Sequence, residues 1–126
     1  MPVRGIRAAT TCQTDQPEAI LTATRDLLEA VAAANPTLDP LDLASVIFTV
    51  TPDLVTEYPA RAARQLGWNT TPLLCTLEIP VPGGLARCIR LLAHWNTDLP
   101  AAAIQHVYLG EAAGLRPDLS KPNQGG

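Results

Sequence analysis

Arginines stand at the ends of apolar segments along this chain: Arg7, Arg61 with Arg64, Arg87 with Arg90, and Arg116. A guanidinium offers a planar fork of N–H donors that matches a carboxylate at two points. Several forks converging in one fold therefore suit a small ligand that carries more than one negative charge. Glu78, Tyr108 and Cys75 lie close to these arginines in strand-like segments. A carboxylate can act as a general base or accept from a hydroxyl, a phenol can donate to a carboxylate, and a thiol can attack when a base stands beside it. Neither His94 nor His106 has a spacing that marks it as such a base, so the pattern lacks a nucleophile with its partner.

Each of these residues also has a plainer reading. An arginine in a strand interior must be paired or must line a ligand site, and for Arg90 and Arg7 both readings stay open. Arg61 and Arg64, three apart on a short helix, fit a solvated charged face as well as the edge of a cleft. Glu78 could be a base, an acceptor for a hydroxyl, or the salt-bridge partner of Arg90, and the residues alone favour the salt bridge. Cys75 reads first as a buried structural thiol and Tyr108 as a core or interface residue with a free hydroxyl. The two histidines have no spaced Cys or carboxylate partners for a metal. Pro82-Gly83-Gly84 is weak as a phosphate loop because the rest of that pattern is missing.

The elements that must hold these groups follow from periodicity. Val3 to Cys12 reads as an opening strand with Val3, Gly5, Arg7 and Ala9 on one face. Asp15 with Glu18 has the spacing of a capping box, and Ile20, Thr24, Leu27, Leu28 and Val31 continue as a helix to Asn35-Pro36. Asp39-Pro40 starts a helical turn. Ala44 to Val50 is a buried strand that stops at Thr51-Pro52-Asp53. Tyr58-Pro59 opens a short helix closed by Gly67. Leu73 to Leu77 is a third strand, ending at Glu78 and followed by the proline-rich loop Pro80 to Gly84. Arg87 to Trp95 is a long strand with Cys88, Arg90, Leu92 and His94 on one side. Ile104 to Leu109 is the last strand, with Ile104, His106 and Tyr108 on one face, and Leu115 to Leu119 is turn-like. The sum is an α+β fold with a mixed, mostly antiparallel five-stranded sheet and one long and one short helix. Two helices are too few to cover both faces, so an uncovered apolar face predicts oligomerisation.

The 126 residues fit one domain, over residues 1–119, with a mobile polar tail at 120–126. Hydrophobic residues are 47% and aromatics 4%, so the core is built from Ala, Val, Leu and Ile. A net charge of -3 and a pI near 5.2 disfavour nucleic acid as a partner. Three cysteines without a CxxC pair argue for free thiols, and no run has the length of a secretory signal or a membrane span. The expected location is the cytoplasm.

Taken together the chain resembles the monofunctional, trimeric chorismate mutases of the mixed α/β, pseudo-barrel type, which are distinct from the all-helical ones. The resemblance runs from Val3-Arg4-Gly5-Ile6-Arg7 through Thr51-Pro52-Asp53-Leu54, Tyr58-Pro59-Ala60-Arg61-Ala62-Ala63-Arg64, Cys75-Thr76-Leu77-Glu78, Gly83-Gly84-Leu85, Arg87-Cys88-Ile89-Arg90 and His106-Val107-Tyr108-Leu109 to Leu115-Arg116-Pro117-Asp118-Leu119. It implies the Claisen rearrangement of chorismate to prephenate on the route to phenylalanine and tyrosine, without cofactor, metal or covalent intermediate. It also implies a homotrimer with its sites between subunits. By resemblance Arg90 stabilises the breaking ether bond, Arg7 and Tyr108 hold a carboxylate, and Glu78 with Cys75 engages the ring hydroxyl. Arg64 and Arg116 line the entrance, Tyr58 and Leu115 give apolar walls, and Arg61 stands at the rim. Leu74 stands where the family often has a hydroxyl-bearing residue, which removes one possible polar contact with the substrate. Two other readings fit a trimer with a cationic cleft: a similarly shaped hydrolase of imines or enamines, and a non-catalytic sensor of a dicarboxylate metabolite.

Overall fold

The computed structural model describes residues 1–115. Its strands are β1 (Val3–Thr11), β2 (Leu43–Val50), β3 (Leu73–Leu77), β4 (Cys88–Asn96) and β5 (Val107–Tyr108), and its helices are α1 (Pro17–Ala34) and α2 (Ala60–Gln65). The strands form one sheet in the order β3-β2-β4-β1-β5. The central strand β4 pairs antiparallel with β1 and β2, while the outer pairs β2–β3 and β1–β5 are parallel. The longer ladders are thus antiparallel and the sheet is mixed, as the alternation predicts.

Alternation decides which face is buried. Ile6, Ala8, Val46, Phe48, Ile89, Leu91, Ala93 and Trp95 form one cluster with Ile20, Leu27, Leu28 and Val31 of α1. In α1 the buried positions recur every three or four residues and make one apolar stripe. The helix packs on β1 and α2, and α2 reaches β3. On the other face Val3, Gly5, Arg7, Leu74 and Leu92 are exposed, and Arg90 and His94 are half-buried. Neither α1 nor α2 covers that face, although Ala9 and Cys88 on it are buried.

Several details differ from the sequence reading. The capping box does not form: Pro17 takes the first helical position and Gln16 the cap, with no side-chain cap bond. Asp15 instead accepts from the N–H groups of Val55 and Thr56 at 3.0 and 3.2 Å and from the Thr56 hydroxyl at 2.9 Å, tying the start of α1 to the loop before α2. β2 is half-buried, with Leu43, Val46 and Phe48 inward. The last strand shrinks from Ile104–Leu109 to two residues. His106 accepts the Arg7 N–H on its ring Nδ1 at 2.9 Å, so a side chain replaces the ladder bond that a longer strand would make. Arg87 has φ +49° and precedes β4 instead of opening it. Two short 3₁₀ turns, Ala101–Ala103 and Gly110–Gly114, have no counterpart in the periodicity. The expected turn beyond Leu115, including Arg116, and the tail 120–126 lie outside the described residues.

Asn35, 3% exposed, closes α1. Its amide nitrogen donates to the carbonyls of Val31 and Gln105 at 2.9 and 3.0 Å, and its oxygen accepts the Gln105 N–H at 3.0 Å. One side chain thus joins the helix end to the segment leading into β5. Replacing it by Ala strands buried groups, and Asn35→Ala is expected to lose about 2 kcal/mol or more. Urea unfolding at fixed protein concentration checks this, and an unchanged midpoint would contradict it.

Candidate active site

The sheet register collects the first group of predicted residues on the open face. Ala9 of β1 lies opposite Arg90 on one side and Tyr108 on the other, and Thr49 lies opposite Arg90 from β2. One row therefore runs from Thr49 through Arg90 and Ala9 to Tyr108, with a small side chain between the guanidinium and the phenol. Strands are spaced by about 4.8 Å, so the Arg90 and Tyr108 backbones stand roughly 10 Å apart. Arg7 shares this face one row along, opposite Leu92. Leu74 is in the same row as Arg7, opposite Ile47, and is 59% exposed.

Glu78 joins this group from the end of β3. Its N–H donates to the Val50 carbonyl at 2.8 Å, which extends the parallel pairing by one residue. Its Oε1 accepts the Thr49 hydroxyl at 2.7 Å, and its Oε2 lies 3.7 Å from Arg90 Nε. The contact with Arg90 is thus an ion pair that stops short of a hydrogen bond. Arg90 Nε is buried and has no hydrogen-bond partner. A buried guanidinium N–H left without an acceptor is costly, and Arg90 lines a cavity of about 510 Å³ with Glu78, Thr51, Asp53, Cys88 and the loop Ile79 to Ala86.

Gly110 has φ +57°, and a Cβ there would come within 2.8 Å of the Thr11 hydroxyl. The chain after Tyr108 is thereby held against the end of β1, and the Glu111 N–H donates to that hydroxyl at 3.3 Å. Leu115 follows this turn and is half-buried.

The second group is elsewhere. Cys75 lies opposite Phe48, on the helix-covered side of the sheet, and lines a separate cavity of about 410 Å³ with Tyr58, Leu54, Pro59 and Leu77. Tyr58 is 67% exposed. Arg64 is exposed on α2 nearby, and its charge acts on the Cys75 thiol. Arg61 pairs with Glu57 at 2.8 Å on the surface, the plainer of its two readings. Within one chain, then, Arg7, Glu78, Arg90 and Tyr108 come together, and Tyr58, Arg64 and Cys75 gather at a different place.

No thiol is poised to attack. Burial pushes Cys12 up to about 11, and burial also raises Cys75 and Cys88, against the opposing pull of Arg64 and Arg90 respectively. Among the described residues no three His, Cys, Asp or Glu side chains cluster as a metal site, and no helix is long and apolar enough to cross a membrane. Sequence reasoning missed Thr49, whose signal is a hydroxyl in the otherwise apolar outer half of β2. It read Thr51-Pro52-Asp53 as a turn and as part of the resemblance, with no place in the site.

A mixed sheet that carries arginines beside a cavity and, among the described residues, no activated nucleophile fits an enzyme class that works by binding and electrostatics. Residues 3–119 match the family model "Chorismate mutase type I", and the chain belongs to that family. It is 56% identical over 117 residues to the chorismate mutase AroH of Thermus thermophilus, covering 93% of this chain and 96% of that one. It is 46% identical over 121 residues to the chorismate mutase AroH of Bacillus subtilis, covering 95% and 94%. The solved structure of a chorismate mutase from Clostridium thermocellum superposes with a TM-score of 0.85 at 45% identity, covering 87% of this chain and 97% of that one.

The raised thiol gives a direct expectation. Iodoacetamide at about pH 7 should label Cys75 in the native protein at least tenfold more slowly than in the urea-unfolded chain. Equal rates in the two states would contradict the burial and charge described for this residue.

Proposed function

We infer that the chain converts chorismate to prephenate in phenylalanine and tyrosine biosynthesis, with Arg90 as its principal electrostatic group, at sites between the subunits of a cytoplasmic homotrimer. The observation that carries the assignment of Arg90 is its partly exposed guanidinium on the cavity wall, paired only at 3.7 Å to a Glu78 already fixed by Thr49. In the rearrangement a C–O bond breaks as a C–C bond forms within one dianion, and negative charge gathers on the ether oxygen. An N–H that lacks a partner in the free enzyme and gains one as that charge develops binds the transition state more tightly than the substrate. Arg7 and Tyr108 hold a carboxylate from the same face, and fixing the carboxylates favours the compact reactive conformer. Glu78 accepts from the ring hydroxyl. No covalent step is needed, in keeping with the three thiols raised by burial.

The separation of the two residue groups supports a shared site. Tyr58, Arg64 and Cys75 complete the cleft of a neighbouring subunit, with Leu74, Leu115 and Arg116 at its walls and entrance, and the exposed sheet face becomes buried in a trimeric pseudo-barrel. Membership of the chorismate mutase family decides between this reading and the imine hydrolase and metabolite sensor in its favour.

Arg90→Ala should lower kcat on the order of 100-fold or more, with folding and assembly retained. Near-normal turnover in the folded variant would remove Arg90 from its role. Assembly gives a second test. Arg90→Ala and Arg64→Ala chains, unfolded and reassembled together in equal amounts, should regain up to about a quarter of parental activity, because that fraction of interfaces joins two intact halves. Mixtures no more active than the separate variants would place both residues in the same subunit's share of the site.

A further inference from the structure

Arg90 is the third residue of β4, so its direction depends on how that strand begins. It begins on a strained residue: Arg87 has φ +49°, a conformation that costs energy for any side chain with a Cβ. The N–H and carbonyl of Arg87 and of Cys88 are all held. The Arg87 N–H donates to both oxygens of Asp53, at 2.9 and 3.2 Å, and the Arg87 carbonyl accepts from the Cys12 N–H at 2.8 Å. The Cys88 N–H donates to the Thr51 hydroxyl oxygen at 2.9 Å, and the Cys88 carbonyl accepts from the Thr51 N–H at 3.1 Å. The Thr51 hydroxyl in turn donates to Asp53. Arg87 Nε reaches the Cys12 carbonyl at 3.0 Å, which ties the same turn to the end of β1.

Asp53 is where these bonds meet. It is the only carboxylate in the set, and it lines the same cavity as Glu78 and Arg90. Burial alone would raise its carboxyl. Hydrogen bonds from the Thr51 hydroxyl, the Arg87 N–H and its own N–H, together with the Arg87 charge, outweigh burial and hold it below its usual value. It therefore stays an anion, the stronger acceptor, through the neutral range. Arg90 is held locally by a side-chain hydrogen bond with Cys88 and by Glu78 at 3.7 Å, while its Nε has no hydrogen-bond partner. Cys88 belongs to the same turn, so the aim of Arg90 depends on how the backbone enters β4.

We propose that Asp53 is a positioning residue, which fixes the left-handed turn at Arg87 and through it the direction in which Arg90 leaves the head of β4. The inference rests on the reading of Arg90 as the principal electrostatic group. Small displacements of such a group carry large rate penalties, whereas carboxylate binding by Arg7 and Tyr108, on other strands, is left in place.

The test compares kcat and KM for chorismate in the parent, Asp53→Ala, Asp53→Asn, Arg90→Ala and the Asp53→Ala/Arg90→Ala double variant, each checked for melting and assembly. A parent that leaves chorismate unchanged would end the underlying reading before any variant is compared. Given an active parent, Asp53→Ala should lose about 10-fold or more in kcat while KM moves by less than about 3-fold, and Asp53→Asn should recover part of that loss. In the Arg90→Ala background the same Asp53 change should alter kcat less than about 2-fold, because the group it aims is gone. An equal loss in both backgrounds, a loss confined to KM, or normal kcat in Asp53→Ala would overturn the proposal. Should Asp53→Ala fail to assemble, Thr51→Val, which removes only the hydroxyl between Asp53 and the Cys88 N–H, carries the same comparison with the same deciding outcomes.

Discussion

A guanidinium on the central strand of a sheet has no strand backbone group left to pair with, and although 43% of the Arg90 side chain is exposed its Nε is buried and needs an acceptor. Arg90 meets that need only in part. Glu78 supplies charge at 3.7 Å, and Thr49 turns Glu78 by taking its other oxygen in a 2.7 Å hydrogen bond. A closer ion pair would satisfy Arg90 and leave it with less to offer a ligand. A carboxylate near enough to offset the charge and too far to saturate the donor leaves Arg90 tolerated at rest and, on the proposed reading, available to the reaction.

The same arrangement explains why so little of the sheet is covered. The helices α1 and α2 bury one face through Phe48, Trp95, Leu91 and Ile89 against the stripe of α1. A third layer over the other face would bury Arg7, Arg90 and Tyr108 and close their cleft. Leaving that face bare exposes Leu74 and Leu92, which in water is a cost that association can offset. A neighbouring copy can cover these leucines while contributing polar groups at its own edge. The requirement for an accessible cationic row and the requirement to bury apolar surface then have one solution.

Much of this was legible from the residues because it depends on period. A period of two put Arg90 with Cys88, Leu92 and His94 on one side of β4 and Arg7 with Val3, Gly5 and Ala9 on one face of β1, which the register makes the same face. A period near 3.6 located α1 within a few positions. What could not be read depends on contacts between distant segments. Asp15 and Glu18 have the spacing of a cap, but Pro17 starts the helix and the Asp15 carboxylate is taken by Val55 and Thr56, 40 residues on. Ile104 to Leu109 has the composition of a strand, yet the His106 ring stands in for the pairing that would extend it. For the site, residue types named Arg90 and Glu78 as a pair, and the distance between them, on which their chemistry turns, is set by Thr49 from a third strand.

Arg87 and Arg90 show how alike two residues can look in sequence and how differently a fold can use them. Both flank an apolar run, and either could have been the cation facing a ligand. Arg87 spends its N–H on Asp53 and its Nε on the Cys12 carbonyl, so its hydrogen bonds go to the structure around it. Arg90, three residues later and past the strained turn, is left with a buried donor unpaired. The first is fixed because its donors are filled, and on the proposed reading that fixity is what aims the second. Stability at one end of β4 and reactivity three residues further along would then draw on the same set of backbone hydrogen bonds.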